Sequence, residues 1–324
     1  MNVCEMNEEL HYTAENRKAG FLGRVPCVVQ LPFQDYLDSI FEKREDYNIA
    51  LAEFGVEWLK NVFAECDPDV LMGAGIEGFV TEPEIEKRGY TRVHPELLDN
   101  PDFREFKDPK GIFDIYSCIP LVMVVDKMAA AGREMPKNFS DLLRPEYARS
   151  IAFPDDGHMF DGIILTYAHQ MAGDEGIVRL RENIHSIVHP SQMIKPGGID
   201  GKPFIYVMPW IFGTIKARQA YMELIWFSDG APILPVVVTS KKTPRAEDMT
   251  KALFSKKAGE IFRHDGFFPS NVTDLDNRLP GKLRFVGWEY IYQEDLLKII
   301  ARCKALISGK APSDEPDRKT EKDS

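Results

Sequence analysis

No stretch of this 324-residue chain is long and apolar enough to cross a bilayer. The longest uncharged apolar runs, 119–125 and 231–240, fall well short of the ~20 residues that a membrane helix needs. Positive charge is also in short supply. Forty Lys and Arg against 51 Asp and Glu leave a net charge of −11, and no Lys/Arg stripe interleaved with aromatics occurs. A nucleic-acid backbone is therefore excluded as partner, because that binding draws on clustered cations. Cysteine is scarce: Cys4, Cys27, Cys66, Cys118 and Cys303 are widely spaced and odd in number. That pattern predicts free thiols in a reducing compartment rather than a disulfide framework. Residues 1–20 carry neither the apolar core nor the small-residue cleavage site of a secretory leader, and no apolar stretch precedes Cys4. The expected location is the cytoplasm, with the periplasm or cell surface as alternative if a leader has been removed. Signatures of catalysis are missing too: there is no Gly-x-Ser-x-Gly elbow, no Gly-x-x-x-x-Gly-Lys loop and no His-Glu-x-x-His. The expectation is a protein that is not an enzyme and holds no cofactor.

What is present is an ordinary globular composition, 44% apolar and 28% charged. The length suits two lobes of about 100–200 residues each. Residues 24–32 read as a first strand and 34–44 as an amphipathic helix. A strand over 47–54, a helix through Val56, Leu59, Val62 and Phe63, and a strand at 69–72 running into Gly73-Ala74-Gly75 follow. Strands alternating with helices imply a parallel sheet with helices on both faces. The apolar run 119–125 predicts a buried strand, with Asn138 or Ser140 capping a short helix through Leu143. A strand at 150–153 leads through Asp155-Asp156-Gly157-His158 into helices near 161–171 and 174–182. Strands at 184–188, 204–207, 224–227 and 233–238 and helices near 213–220, 245–256, 258–264 and 295–308 complete the pattern.

Several segments in this order resemble the two-lobed solute-binding proteins of ABC transporters, most of all the ferric-iron-binding-like branch of the type 2 periplasmic-binding-protein fold. They are Pro136-Lys137-Asn138-Phe139-Ser140-Asp141-Leu142-Leu143, Arg144-Pro145-Glu146-Tyr147, Ile151-Ala152-Phe153-Pro154-Asp155, Asp229-Gly230-Ala231-Pro232-Ile233-Leu234-Pro235, and Gly-Phe-Phe-Pro-Ser at 266–270. The resemblance implies an α/β chain in two lobes, each a mostly parallel sheet flanked by helices, joined by a two-segment hinge. The chain would leave the first lobe at 116–119 and return at 231–235. The expected divisions are an N-terminal extension 1–23, a first lobe 24–117 plus 236–285, a second lobe 118–235 plus 286–309, and a disordered tail 310–324. The implied function is capture of a small molecule or ion by hinge closure, with an ABC permease as possible partner. Iron-binding members use adjacent tyrosines from the second half of the chain, and this sequence has no Tyr-Tyr.

Ligands of open α/β sheets bind outside the carboxyl ends of the strands. In this sequence that rule selects Pro32, Phe33, Gly73, Ala74 and Gly75 from the first lobe. From the second it selects Asp156, Gly157, His158, Met159, Ser191, Gln192, Met208 and Trp210, with Ser117, Cys118 and Asp229 at the hinge. Gly73 and Gly75 either let backbone approach a ligand or simply make a tight turn. The aspartates at 155 and 156 either hold a ligand or cap a helix. His158, His185 and His189 are candidate metal ligands, although histidines four apart are also ordinary surface residues. Phe33, Phe160, Tyr206 and Trp210 could wall an organic solute or belong to the core. Two other functions remain open: an enzyme on the same scaffold, with Cys118 or His158 as the residues to test, and a cytoplasmic metal-handling or sensor protein.

Overall fold

The structure is a computed structural model and describes residues 19–41, 46–51, 57–92, 100–154, 161–195, 203–270, 275–293 and 295–311. Its strands, in chain order, are β1 (Phe21–Val25), β2 (Tyr47–Leu51), β3 (Val70–Ala74), β4 (Asp114–Asp126), β5 (Ile151–Pro154), β6 (Ile184–Val188), β7 (Ile205–Pro209), β8 (Met222–Ile225), β9 (Ala231–Ser240), β10 (Phe268–Pro269) and β11 (Leu283–Arg284). The helices are α1 (Cys27–Ile40), α2 (Glu57–Glu65), α3 (Ile76–Val80), α4 (Pro83–Lys87), α5 (Lys127–Ala130), α6 (Asp161–Asn183), α7 (Pro190–Met193), α8 (Trp210–Lys216), α9 (Pro244–Leu253), α10 (Lys256–His264), α11 (Trp288–Ile291) and α12 (Leu296–Ile307).

Thirteen residues long and buried up to its last position, β4 is the spine. A strand covered on both faces needs a continuous apolar run, and residues 119–125 supply one. The first half of β4 pairs antiparallel with β9, from Asp114 opposite Val238 to Pro120 opposite Ile233. Its second half pairs antiparallel with β7, from Leu121 opposite Pro209 to Val125 opposite Ile205. Parallel strands extend from each side, giving the order β2-β1-β3-β9-β4-β7-β5-β6. One lobe is thus built on β1, β2 and β3, the other on β5, β6 and β7. The β4–β9 pair carries the chain out and back, with Cys118 opposite Pro235 and Ile119 opposite Leu234. Short strands finish the edges: β10 pairs with β4 at Phe268 and Cys118, β8 with β4 at Ile225 and Met123, and β11 with β9 at Leu283 and Ala231.

Between its contacts with β3 and β11, β9 leaves an edge bare at Ile233. The Tyr167 hydroxyl of α6 closes that gap. It shares its proton between the carbonyls of Ile233 (3.1 Å) and Arg284 (2.9 Å) and accepts from the Ile233 N–H (3.2 Å). Helix α6 breaks at Ala172 and Gly173, where Gly173 takes φ 58°, so two helical runs meet there as the sequence predicts. Helix α12 lies along α6. Both carboxylate oxygens of Asp174 receive the Arg302 guanidinium, and Arg181 donates to the Leu306 carbonyl (3.0 Å).

The largest departure from expectation is at the start. The strand ends at Val25 and α1 begins at Cys27, so the residues expected in a strand over 24–32 are mostly helical. The β-branched pair Val28-Val29 suggests a strand. The buried spacing Val29, Phe33, Leu37, one residue per turn, decides for helix. Pro32 sits inside α1, where it has no N–H to give to the carbonyl four residues back.

Candidate ligand-binding cleft

The registers fix where a cleft must lie. Because β7 runs against β4, its carboxyl end at Pro209 faces Leu121 and points toward the first lobe. Because β3 runs against β9, its carboxyl end at Ala74 faces Val236, itself opposite Ser117. The carboxyl ends of both sheets therefore converge on the middle of β4, at Ser117 to Leu121. Loop groups from both lobes collect over that line.

On the first-lobe side, Gly73 and Ala74 are the last residues of β3 and Gly75 precedes α3 with φ 87°. A Cβ on Gly73 would stand 2.9 Å from the Phe79 ring and 3.2 Å from Trp58, so packing beneath aromatic rings accounts for that glycine. Gly75 makes the left-handed turn and remains half-buried at the sheet end. Phe33 is a correction, and Pro32 stands apart from the end of β1. Phe33 is fully buried in α1, edge-on to Phe262 at 5.2 Å, and Pro32 lies on the exposed side of the same helix. The residues that do follow β1 are Pro26 and the exposed Cys27, which the sequence reading passed over; the four-residue apolar spacing of α1 was the signal for them.

At the hinge, Ser117 is fully buried, and its Oγ has no partner among the described residues. Burial, and then the charge of Asp102, pushes the Cys118 thiol well above its ordinary range. Cys118 is thus a protonated core residue rather than a nucleophile. Asp229 is engaged on both oxygens, accepting the Phe139 N–H at 3.1 Å and pairing with Arg284 at 3.1 Å. It braces the return crossing and the turn at 139–143, which corrects its expected place as a ligand-facing group.

On the second-lobe side, Met208 is another correction. It is fully buried in β7 against Val124, Ala152, Met193 and Tyr206, because every residue of that strand is covered. Trp210 opens α8 half-buried, its ring 5.5 Å from Trp226 and 6.1 Å from Phe268. Ser191 and Gln192 lie in α7, half-buried and exposed respectively. His189 caps that helix, its Nδ1 accepting the Ser191 N–H at 3.1 Å. At the other end of α7, the buried Lys216 donates to the Met193 carbonyl (2.8 Å) and stands 4.0 Å from the Tyr206 ring centre, while Gln219 reaches the Ile194 carbonyl. Burial lowers the pKa of Lys216, the Asp126 charge opposing it. The sites expected at Asp156, Gly157, His158 and Met159 lie outside the described residues. His185 and His189 sit at β6 and its end, and among the described residues no three His, Cys, Asp or Glu side chains gather as a metal site.

The family model described as bacterial extracellular solute-binding protein matches residues 67–294, the greater part of the sequence. The chain belongs to this family. It is a solute-binding protein, and the two lobes on a two-strand crossing are the family's fold. Solved structures agree. A Trichodesmium protein in complex with iron and citrate aligns with TM-score 0.62 and 14% identity, over 90% of this chain and 100% of that one. Iron-bound HitA from Pseudomonas aeruginosa gives 0.61 and 12%, over 90% and 98%. The periplasmic binding protein AfuA from Actinobacillus pleuropneumoniae, with fructose-6-phosphate bound, gives 0.57 and 15%, over 89% and 96%. At these identities the likeness is one of fold. No curated protein matches the sequence. No helix among the described residues is long and apolar enough to cross a membrane.

Proposed function

We propose that this chain captures its solute between the two lobes, over the middle of β4, and presents it to an ABC permease in the closed form. The observation that carries this reading is the convergence of both sheets' carboxyl ends on Ser117 to Leu121, the segment where β4 changes partner from β9 to β7. Gly75, Ser117, Ser191, Gln192 and Trp210 are the proposed contacts; Pro32, Phe33, Cys118, Met208 and Asp229 are structural. The lobes divide near 117/118 and 235/236, and the packing of α12 on α6 supports assigning 286–309 to the second lobe. No catalytic step is assigned, since the Cys118 thiol is buried and protonated. The family is one of extracellular proteins, which favours a place outside the cytoplasmic membrane over the cytoplasm. Buried thiols such as Cys66, Cys118 and Cys303 are shielded in either compartment, so cysteine usage does not oppose it. Small-angle scattering of the full chain before and after exposure to an extract of small metabolites that retains its inorganic ions tests the mechanism. Capture and closure shrink the radius of gyration. A radius indifferent to every extract, with no solute retained on native mass spectrometry, sinks it.

A further inference from the structure

Three aromatic side chains from three separate segments meet where the lobes touch. Trp210 comes from the first turn of α8, Trp226 from the end of β8, and Phe268 from β10 on the opposite lobe. Their ring centres lie 5.5 to 6.3 Å apart, and both indoles are half-buried rather than sealed. The cluster is held, not loose. Trp226 Nε1 donates to the Lys282 carbonyl at 2.9 Å, and Gly281 lies so close that a Cβ there would stand 2.6 Å from the indole. On the other side Gly266, at φ 82°, lets the first lobe approach Ile211 of α8, where a Cβ would stand 2.9 Å away. Fixed indoles, with accessible surface at the carboxyl end of β7, form a stacking wall.

Resting on the proposed capture between lobes, we infer that the solute is a neutral or cationic organic molecule whose flat or apolar face lies on Trp210 and Trp226. An indole offers a metal ion no lone pair for coordination, and a bare ion against carbon surface loses its hydration uncompensated. The negative face of an aromatic ring attracts cations and repels anions, and the net charge of −11 acts in the same sense.

The test uses the full chain, incubated with an extract of small metabolites that retains its inorganic ions, then analysed by native mass spectrometry and by chromatography of the solute released on denaturation. The expected result is one carbon-containing adduct per chain, neutral or positively charged. Trp210→Ala lowers its occupancy about tenfold or more, as loss of one stacking contact does, while Trp210→Tyr retains most of it. Trp210→Tyr also controls for folding, since it keeps a ring against Phe268. An adduct that is a metal or an inorganic anion overturns the inference and leaves solute capture standing. Undiminished occupancy in Trp210→Ala overturns the stacking wall. No adduct under any extract removes the inference together with the proposed function.

Discussion

Replacing Tyr167 by Phe removes one oxygen atom and nothing else, so its effect isolates what that hydroxyl does for the return crossing. The ring stays packed, 6.0 Å from Phe139, and no cavity of consequence opens. What is lost is the partner of both the N–H and the C=O of Ile233, together with a bond to the Arg284 carbonyl. Tyr167 and Ile233 are fully buried. Leaving a buried backbone group unsatisfied costs about 1–3 kcal/mol. Two groups are affected, with partial relaxation, so about 2 kcal/mol is the expected loss for the variant. For a protein of this size each kcal/mol moves the melting temperature by roughly 2–4 °C, which places Tyr167→Phe about 4–8 °C below the parent in a calorimetric scan. Tyr116→Phe is the internal comparison. Among the described residues its hydroxyl donates to the Leu253 carbonyl alone, at 2.7 Å, and should cost about half as much. A Tyr167→Phe melt within about 1 °C of the parent would refute the claim that this hydroxyl closes the β9 edge.

Phe33→Ala should destabilise by about 3–5 kcal/mol, the usual cost of emptying a buried phenylalanine site, while leaving solute affinity unchanged; weakened binding in protein still folded would restore Phe33 to the cleft. Burial lowers the pKa of His169 below its ordinary 6.5, the Asp174 charge opposing this and Arg302 assisting it. The unfolded chain therefore takes up that proton first. Stability falls as pH drops through 6.5 toward the folded value, and His169→Gln should flatten the acid side of a melting-temperature profile between about pH 7 and pH 5. Lys216→Met keeps the apolar stem but withdraws the donor to the Met193 carbonyl, so backbone amides over 190–195 should exchange hydrogen faster. Unchanged exchange there would show that Lys216 does not hold α7.

How much of this was legible in the sequence depends on how local the cause was. The run 119–125 announced a doubly covered strand, the break at Gly173 separated two helical patterns, and the face of α12 appeared in its spacing. The crossing segments could be named because both lie in stretches that resemble those of the solute-binding proteins, which an apolar run alone would not have marked as crossings. The start of α1 misled because Val28-Val29 favours a strand locally, and only burial against α10 decides otherwise. The candidate site was less readable. Asp229 stands just before β9, and its oxygens are occupied by Phe139 and by Arg284, 55 residues on. Met208 follows the strand's burial rather than its proximity to the loop. Trp226 went unnoticed because nothing near it in sequence marks it; Lys282, 56 residues away, holds it in place.

Proline crowds one short length of the spine. Ser117 faces Pro269, Cys118 faces Pro235, position 120 is itself proline, and Leu121 faces Pro209. A proline has no proton to lend across a ladder, and four of them stand in or opposite β4 between Ser117 and Leu121. The same length is where β4 exchanges β9 for β7, so a jaw that pivots there turns about the seam between the two sheets rather than through either one.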